Sequence, residues 1–381
     1  MKPESLAIYI HIPFCVRKCR YCDFYSVPYQ AESATRLVSA LVREWKLAEK
    51  ELSLGNAEVS TIFIGGGTPT MLSAKHWEDL DRNLFKTLRI SSECEWSIEC
   101  NPDSFTEEMA RQWLSMGVSR LTFGIQSLID RELGFLGRPH SASHALAVLK
   151  SPILSKFKSI GADLMYGIPG QTVGSFEKSI EGVLSNPVVR HLSAYELAIN
   201  PHTPIGRHVS KIPFPPEDAA MAMAQTLYAQ CRASGFERYE ISNFSKKGYR
   251  CRHNEAYWNH SPYVGLGPAA HSYIAPQRFA NTGDLSRYVA GVEGGKRPFE
   301  FVETIGTENL ISEIIFLRLR TADGLDESDF LKKTGMAFHS GARAPILDDL
   351  TKGNMIVCDQ QQWRLTEQGM FVADAVAKKL V

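Results

Sequence analysis

No run in the sequence approaches the roughly 18 consecutive apolar residues that a membrane-spanning helix needs. Met1 to Ala7 carries no positive segment followed by an apolar run, so no signal peptide is read and a cytoplasmic protein is expected. Net charge is missing as well, since 42 Lys and Arg balance 42 Asp and Glu. That excludes a globally basic nucleic-acid binder, although not a local basic patch. Cysteine is sparse, eight among 381 residues, which excludes a disulfide scaffold. A chain of this length buries about three-quarters of its unfolded surface and needs no such staples. No internal repeat and no low-complexity tract is present.

What is present is an alternation of short apolar runs and amphipathic stretches. Leu6–Ile10, Thr61–Ile64, Glu95–Cys100, Arg120–Ile125, Ile160–Met165 and His191–Leu197 read as strands. Between them, helices are expected over 34–52, 76–88, 106–116, 143–149 and 174–184, with Thr106 as a cap and Gly117 as a terminator. Strands alternating with helices imply βαβ units and a parallel sheet, doubly wound or barrel-like. Polar residues gather at the strand C-termini, where such folds place their sites.

Pro213, Pro215 and Pro216 break the pattern before a helix expected over 217–233. Residues 236–273 are rich in aromatics and histidine and poorly periodic. From Thr307 the character changes to three helices (308–319, 328–334, 343–352), a short hairpin (355–358 and 363–365) and a last helix, 367–380. That order suggests a small winged-helix-like domain. The expected division is therefore 1–235, 236–300 and 301–381. The tail from Thr366 offers only Lys378 and Lys379 as bases, too few to track phosphates. It reads as a cover over the barrel or a surface for a partner protein, with no nucleic acid involved.

The sharpest chemical signal is Cys15-x3-Cys19-x2-Cys22. Three thiolates on so short a loop can converge on one inorganic centre. A structural zinc site closes with four ligands, and no fourth Cys or His follows with finger-like spacing. Three cysteines fit a [4Fe–4S] cluster with one iron open to an outside ligand. On ligand chemistry alone both centres stay open. Arg17, Lys18 and Arg20 interleave the cysteines, either to offset cluster charge or as a solvated basic loop. Gly65-Gly66-Gly67-Thr68-Pro69-Thr70 ends a strand; it is either a strand-ending turn or a place where backbone approaches a small polar ligand. No Gly-Lys-Ser/Thr follows, so it is not a phosphate loop of the Walker kind.

The run Tyr9 to Cys22, YIHIPFCVRKCRYC, resembles the CxxxCxxC signature of the radical S-adenosylmethionine (SAM) superfamily. Its YIHIPFC lead-in is similar to the oxygen-independent coproporphyrinogen III oxidase branch. The resemblance implies an α/β fold: a partial (βα)6, TIM-like barrel with the cluster on the loop after the first strand. Oxidases of that branch carry a further cysteine two residues after the third ligand, where this chain has Phe24. An aromatic there, with His253-Asn254-Glu255-Ala256-Tyr257-Trp258 matching an HNxxYW motif, resembles the HemW-type haem chaperones.

The resemblance also implies site residues. Cys15, Cys19 and Cys22 would hold the cluster, and Gly66, Gly67 and Thr68 the SAM amino group. Glu99 would accept from the SAM ribose hydroxyls, with Asp163 near the same ribose. Gln126 pairs with Arg138, whose guanidinium suits the methionine carboxylate. Tyr9, Tyr21 and Ala198 would lie near the cluster or the adenine. His253 would be an axial ligand to haem iron, with Tyr257 and Trp258 lining a porphyrin face, or else His253 and Asn254 hydrogen-bond within the barrel mouth. His260 and His271 stay open as ligands. His11 reads as a packed strand residue and Cys251 as buried packing.

Three functions compete. A haem chaperone would bind haem, a [4Fe–4S] cluster and SAM and pass haem to an acceptor protein. A radical enzyme would use the same machinery and a one-electron reductant to decarboxylate coproporphyrinogen propionates. A zinc-stabilised binding module would do neither. Phe24 and HNxxYW favour the first over the second, and the ordered strand-end motifs disfavour the third.

Overall fold

The computed structural model describes residues 3–381. Its first six long strands are β1 (Ser5–Ile12), β2 (Glu58–Gly66), β3 (Ile90–Cys100), β4 (Arg120–Gln126), β5 (Ser159–Tyr166) and β6 (Val189–Glu196). They pair in that order, all parallel. Helices fall between them as the periodicity predicts: α1 (Ala31–Glu51), α2 (Ala74–Asn83), α3 (Glu107–Met116), then α5 (Ala142–Leu149) and α6 (Val173–Leu184). α3 starts where Thr106 accepts from the Met109 amide and stops at Gly117, which takes the left-handed conformation (φ 102°) that a non-glycine resists. The helix α4 (Asp130–Leu136) was not expected; it is two turns long, too short to show a period.

Alternation along each strand sorts the side chains. On β1, Ile8, Ile10 and Ile12 are fully buried beneath the helices and pack in one cluster with Leu37, Leu41 and Trp45 of α1. The intervening Tyr9 and His11 face the lumen. That lumen is polar: Thr61, Ser97, Thr122, Ser159, His191 and Ser193 are all buried on it or beside it. Parallel strands covered by helices on one side and closing on polar groups make an open, partial barrel.

The segment expected to be aperiodic, together with the residues that follow it to Thr304, supplies both flanks of the sheet. β7 (Glu237–Arg238) and β8 (Asn243–Ser245) add antiparallel beyond β6. β9 (Tyr263–Leu266) pairs parallel with β1, and β10 (His271–Ile274), β11 (Gln277–Asn281) and β12 (Phe299–Thr304) continue antiparallel outward, with the helices α7 (Glu217–Ala233) before β7 and α9 (Leu285–Glu293) between β11 and β12. The result is one twelve-stranded sheet. Strands of two to six residues carry too few alternations to register as a period.

A buried carboxylate ties this extension to α1. Glu44 accepts from the Gly267 amide (2.8 Å), Asn281 Nδ2 (2.6 Å) and the Tyr288 hydroxyl (2.6 Å). Burial pushes its carboxyl above the ordinary value. Three donors make a charge or a proton tolerable there, and a polar residue in an apolar stripe was not legible as a tie.

The C-terminal domain has its own core, with Ile315, Phe330, Phe338, Leu347, Trp363 and Val376. Its helices α10 (Thr307–Leu319), α11 (Glu327–Thr334) and α12 (Arg343–Lys352) precede a hairpin, Ile356–Asp359 with Gln362–Leu365. Leu325–Asp326 joins that hairpin as a third strand, one more than the sequence suggests. The final helix is also two, Glu367–Phe371 and Ala373–Leu380, broken at Val372. No helix among the described residues is long and apolar enough to cross a membrane.

Candidate functional site

Backbone ties hold the cysteine loop after β1. Phe14–Cys15 pairs in parallel with Val27–Pro28, closing the loop at its ends. In its middle, the Arg20 amide donates to the Leu136 carbonyl at 3.0 Å and the Ile205 amide donates to the Arg20 carbonyl at 3.0 Å. So held, Cys15, Cys19 and Cys22 line one cavity of about 460 Å³ as half-buried free thiols. Burial pushes the Cys22 thiol up to about 11 and raises that of Cys15, so neither is a thiolate at neutral pH without a positive centre beside it.

The strand ends close the same cavity. Tyr21, Gly66, Gly67, Thr68, Glu99, Gln126, Arg138, Asp163 and Ala198 all line it. Gly66 has φ 106°, and a Cβ there would lie 2.5 Å from the His11 ring. At Gly67 a Cβ would stand 2.8 Å from the backbone of Pro13 and Phe14, so the glycine run lets β2 close against the cysteine loop. Gln126 sits in the left-handed region (φ 69°) at a register shift between β4 and β5. Such strain at a strand end re-aims a side chain, here into the cavity.

One residue not singled out from the sequence, Asn101, completes the wall. Asn101 Nδ2 donates to Thr68 Oγ1 (2.9 Å), and Asn101 Oδ1 accepts from Arg138 Nη2 (2.6 Å). Arg138 Nη2 also donates to the Gly124 carbonyl (2.7 Å), and its Nη1 donates to Cys19 Sγ (3.4 Å). Thr68 Oγ1 stands 3.5 Å from Cys15 Sγ. A chain of polar contacts therefore runs Cys15–Thr68–Asn101–Arg138–Cys19. The signal for Asn101 was its place directly after the strand ending in Glu99-Cys100.

Glu99 accepts from the Gly66 amide at 3.1 Å. Burial first, and the Asp163 carboxylate second, push Glu99 up to about 7; burial pushes Asp163 up to about 6. Arg138 Nε is buried and has no partner among the described residues. Two acceptors near their titration point and an unfilled guanidinium donor are the chemistry that a ligand with hydroxyls at one end and a carboxylate at the other would satisfy. Three sulfurs on the same wall fit an iron–sulfur centre, although no three His, Cys, Asp or Glu side chains among the described residues are drawn into a single-ion cage.

Tyr9 lies apart from this group. It faces a second cavity of about 700 Å³, with its hydroxyl 3.0 Å from His11 Nδ1 and its ring stacked on Phe63. The two cavities share Asp23, Phe24, Gly66, Glu99, Thr122, Asp163 and Tyr195 as a common wall. Phe24 is 62% exposed, an aromatic ring standing at the junction.

The HNxxYW residues divide. His253 and Tyr257, one turn apart on the helix α8 (Arg252–Trp258), both face the second cavity. His253 is buried, and both ring nitrogens are engaged: Nδ1 with Thr61 Oγ1 and Nε2 with the Tyr257 hydroxyl, each at 2.8 Å. Burial holds its pKa down at about 3, so the ring is neutral. Of the two readings of His253, this geometry is the hydrogen-bonded one. Trp258, one residue and about 100° further round α8, lines neither cavity. The Arg320 guanidinium lies 5.8 Å over its ring, so it faces the C-terminal domain instead of a porphyrin. Cys251 is buried, its sulfur 3.5 Å from Glu95 Oε1.

Known proteins match this arrangement along its length. The family described as Radical SAM superfamily matches residues 9–182, and the HemN C-terminal domain matches residues 307–372. The fold is also that of coproporphyrinogen III oxidase (HemN) from Escherichia coli, with TM-score 0.86 at 21% identity over 100% of this chain and 91% of that one. Barrel, cysteine loop and strand-end groups together are those of a radical SAM protein. Heme chaperone HemW of Bacillus subtilis is 33% identical over 97% of both chains, and that of Escherichia coli is 31% identical over 99% of this chain and 98% of its own. The chain belongs to the HemW family within that superfamily.

Proposed function

We propose that the protein is a haem chaperone, which holds a [4Fe–4S] cluster and SAM in the first cavity, receives haem in the second and passes it to an acceptor protein. The observation that carries this reading is the shared wall: a cysteine-lined cavity opens onto a larger aromatic one at Phe24, where the oxidase branch has a thiol. About 700 Å³ lies within the range of roughly 300–1,000 Å³ typical of pockets for sizeable organic ligands.

In this reading Cys15, Cys19 and Cys22 hold the cluster, which with SAM supplies one-electron chemistry at its open iron. Gly66, Gly67 and Thr68 bring the backbone close enough to take the SAM amino group. Ionised Glu99 accepts from the ribose hydroxyls, with Asp163 beside it. The unfilled Arg138 Nε and its neighbours Gln126 and Asn101 orient the methionine carboxylate. Tyr21 and Ala198 border the adenine. Tyr9 and Tyr257 line the haem cavity. A one-electron reductant and an acceptor protein are the implied partners, in the cytoplasm, where thiols stay reduced.

The test is paired, on anaerobically reconstituted protein: haem titration by difference absorption beside coproporphyrinogen III turnover with SAM and reductant. Saturable haem binding without decarboxylated product is expected. Product formed with only non-saturable haem uptake would return the protein to the oxidase class.

A further inference from the structure

Four histidines border the second cavity, His11, His191, His253 and His271. Three are committed elsewhere. His11 engages the Tyr25 carbonyl and the Tyr9 hydroxyl, and His253 engages Thr61 and Tyr257. His191 Nε2 meets the Tyr239 hydroxyl, and its Nδ1 is buried with the Gly161 backbone packed beside it. His260 lies outside the cavity and meets Glu313. Of the four that border the cavity, only His271 presents an exposed imidazole with no side-chain hydrogen bond among the described residues.

The strands around His271 make a seat beside it. His271 on β10 stands opposite Ala280 on β11, and Ala280 stands opposite Phe301 on β12. Directly opposed residues point to the same face of a sheet, so the three form one row. Imidazole and phenyl have ring centroids 5.7 Å apart at 63°, above an alanine that contributes only a methyl group. Phe301 is 39% exposed, a large apolar ring left uncovered beside an uncovered nitrogen base. Phe24, also uncovered, borders the same cavity. Singly exposed aromatics are ordinary, but Phe301 packed against an unpartnered imidazole, with Phe24 on the wall of the cavity that imidazole borders, matches a flat, apolar macrocycle with a metal at its centre.

We propose that His271 is the protein's ligand to the iron of a metalloporphyrin seated at the mouth of the second cavity, with Phe301 packed against the same imidazole. This rests on the haem-chaperone reading and assigns its ligand. A neutral imidazole donates its lone pair to iron without any change of oxidation state. His253 then serves the cavity as a wall, its nitrogens fixed by Thr61 and Tyr257.

The test titrates ferric haem into the full-length wild-type protein, His271→Ala and His260→Ala, recording the Soret band and the electron paramagnetic resonance of the iron. Wild type and His260→Ala are expected to saturate with one histidine-ligated signature. His271→Ala, folded by far-ultraviolet circular dichroism, should lose that signature and bind haem at least about tenfold more weakly. Added imidazole should restore the signature to it. A His271→Ala spectrum identical to wild type would overturn the ligand assignment and leave the chaperone reading standing. Failure of wild type itself to saturate would overturn both. Loss of the signature in His260→Ala alone would move the ligand outside the cavity and overturn the assignment.

Discussion

Arg138 donates through Nη1 to the sulfur of Cys19 at 3.4 Å while Nη2 holds the Asn101 carboxamide at 2.6 Å. One side chain therefore joins the cysteine loop to the C-terminal ends of β3 and β4. Lysine can keep the charge at this position but not the fork. Arg138→Lys is expected to keep a reconstituted cluster and to weaken SAM binding by about ten- to a hundredfold, the loss of one or two charge-assisted hydrogen bonds. Isothermal titration with SAM, beside the visible spectrum, measures both. Unchanged affinity would mean that the guanidinium serves only the loop.

Cys19 sits on a loop and is only half-buried, so its loss removes little packing. Cys19→Ala should abolish the brown charge-transfer absorption of the reconstituted protein and leave the far-ultraviolet circular dichroism intact. A chromophore that survives would refute the cluster assignment.

Glu99 and Asp163 are expected to make SAM binding depend on pH. Their carboxyls are pushed up to about 7 and about 6, burial being the main cause in each. Only the ionised form accepts from both ribose hydroxyls, so affinity should climb between about pH 5.5 and 7.5 and level off above. The sign for stability is opposite. A carboxyl raised on folding stabilises the ligand-free protein fully below its unfolded value near 4, and that contribution is lost as pH rises through 6 and 7. SAM titrations across that range should show the climb in wild type and a flattened profile in Glu99→Gln. A flat wild-type profile would remove the ribose role from both acids.

His253 should matter to stability first. Its ring is held at about 3 by burial, against about 6.5 in an unfolded chain. The unfolded chain takes up the proton first, so this site stabilises above about pH 6.5 and loses its contribution as pH falls toward 3. His253→Ala leaves Thr61 Oγ1 and the Tyr257 hydroxyl without their partner and opens a cavity beside Phe63, a cost of about 2–4 kcal/mol. Urea unfolding at pH 7 and pH 5 should show the variant less stable at both and less sensitive to acid than wild type. Equal midpoints would show that the buried pair is not holding α8 to β2.

The alternation of strands and helices to residue 200, the cysteine loop and the strand-end polar groups were legible because each depends on neighbours in sequence. A two-residue alternation, a 3.6-residue stripe and a three-cysteine spacing are local patterns. The helix cap at Thr106 and its end at Gly117 were legible for the same reason. The tertiary structure alone decided what borders the second cavity. β9 reaches β1 across some 250 residues of chain, and β10 to β12 follow it outward with no period long enough to read. That pairing brings β10 to the cavity and lines up His271, Ala280 and Phe301 in one row. Which of several histidines keeps a free nitrogen depends on partners supplied by distant strands, and no local pattern encodes who those partners are.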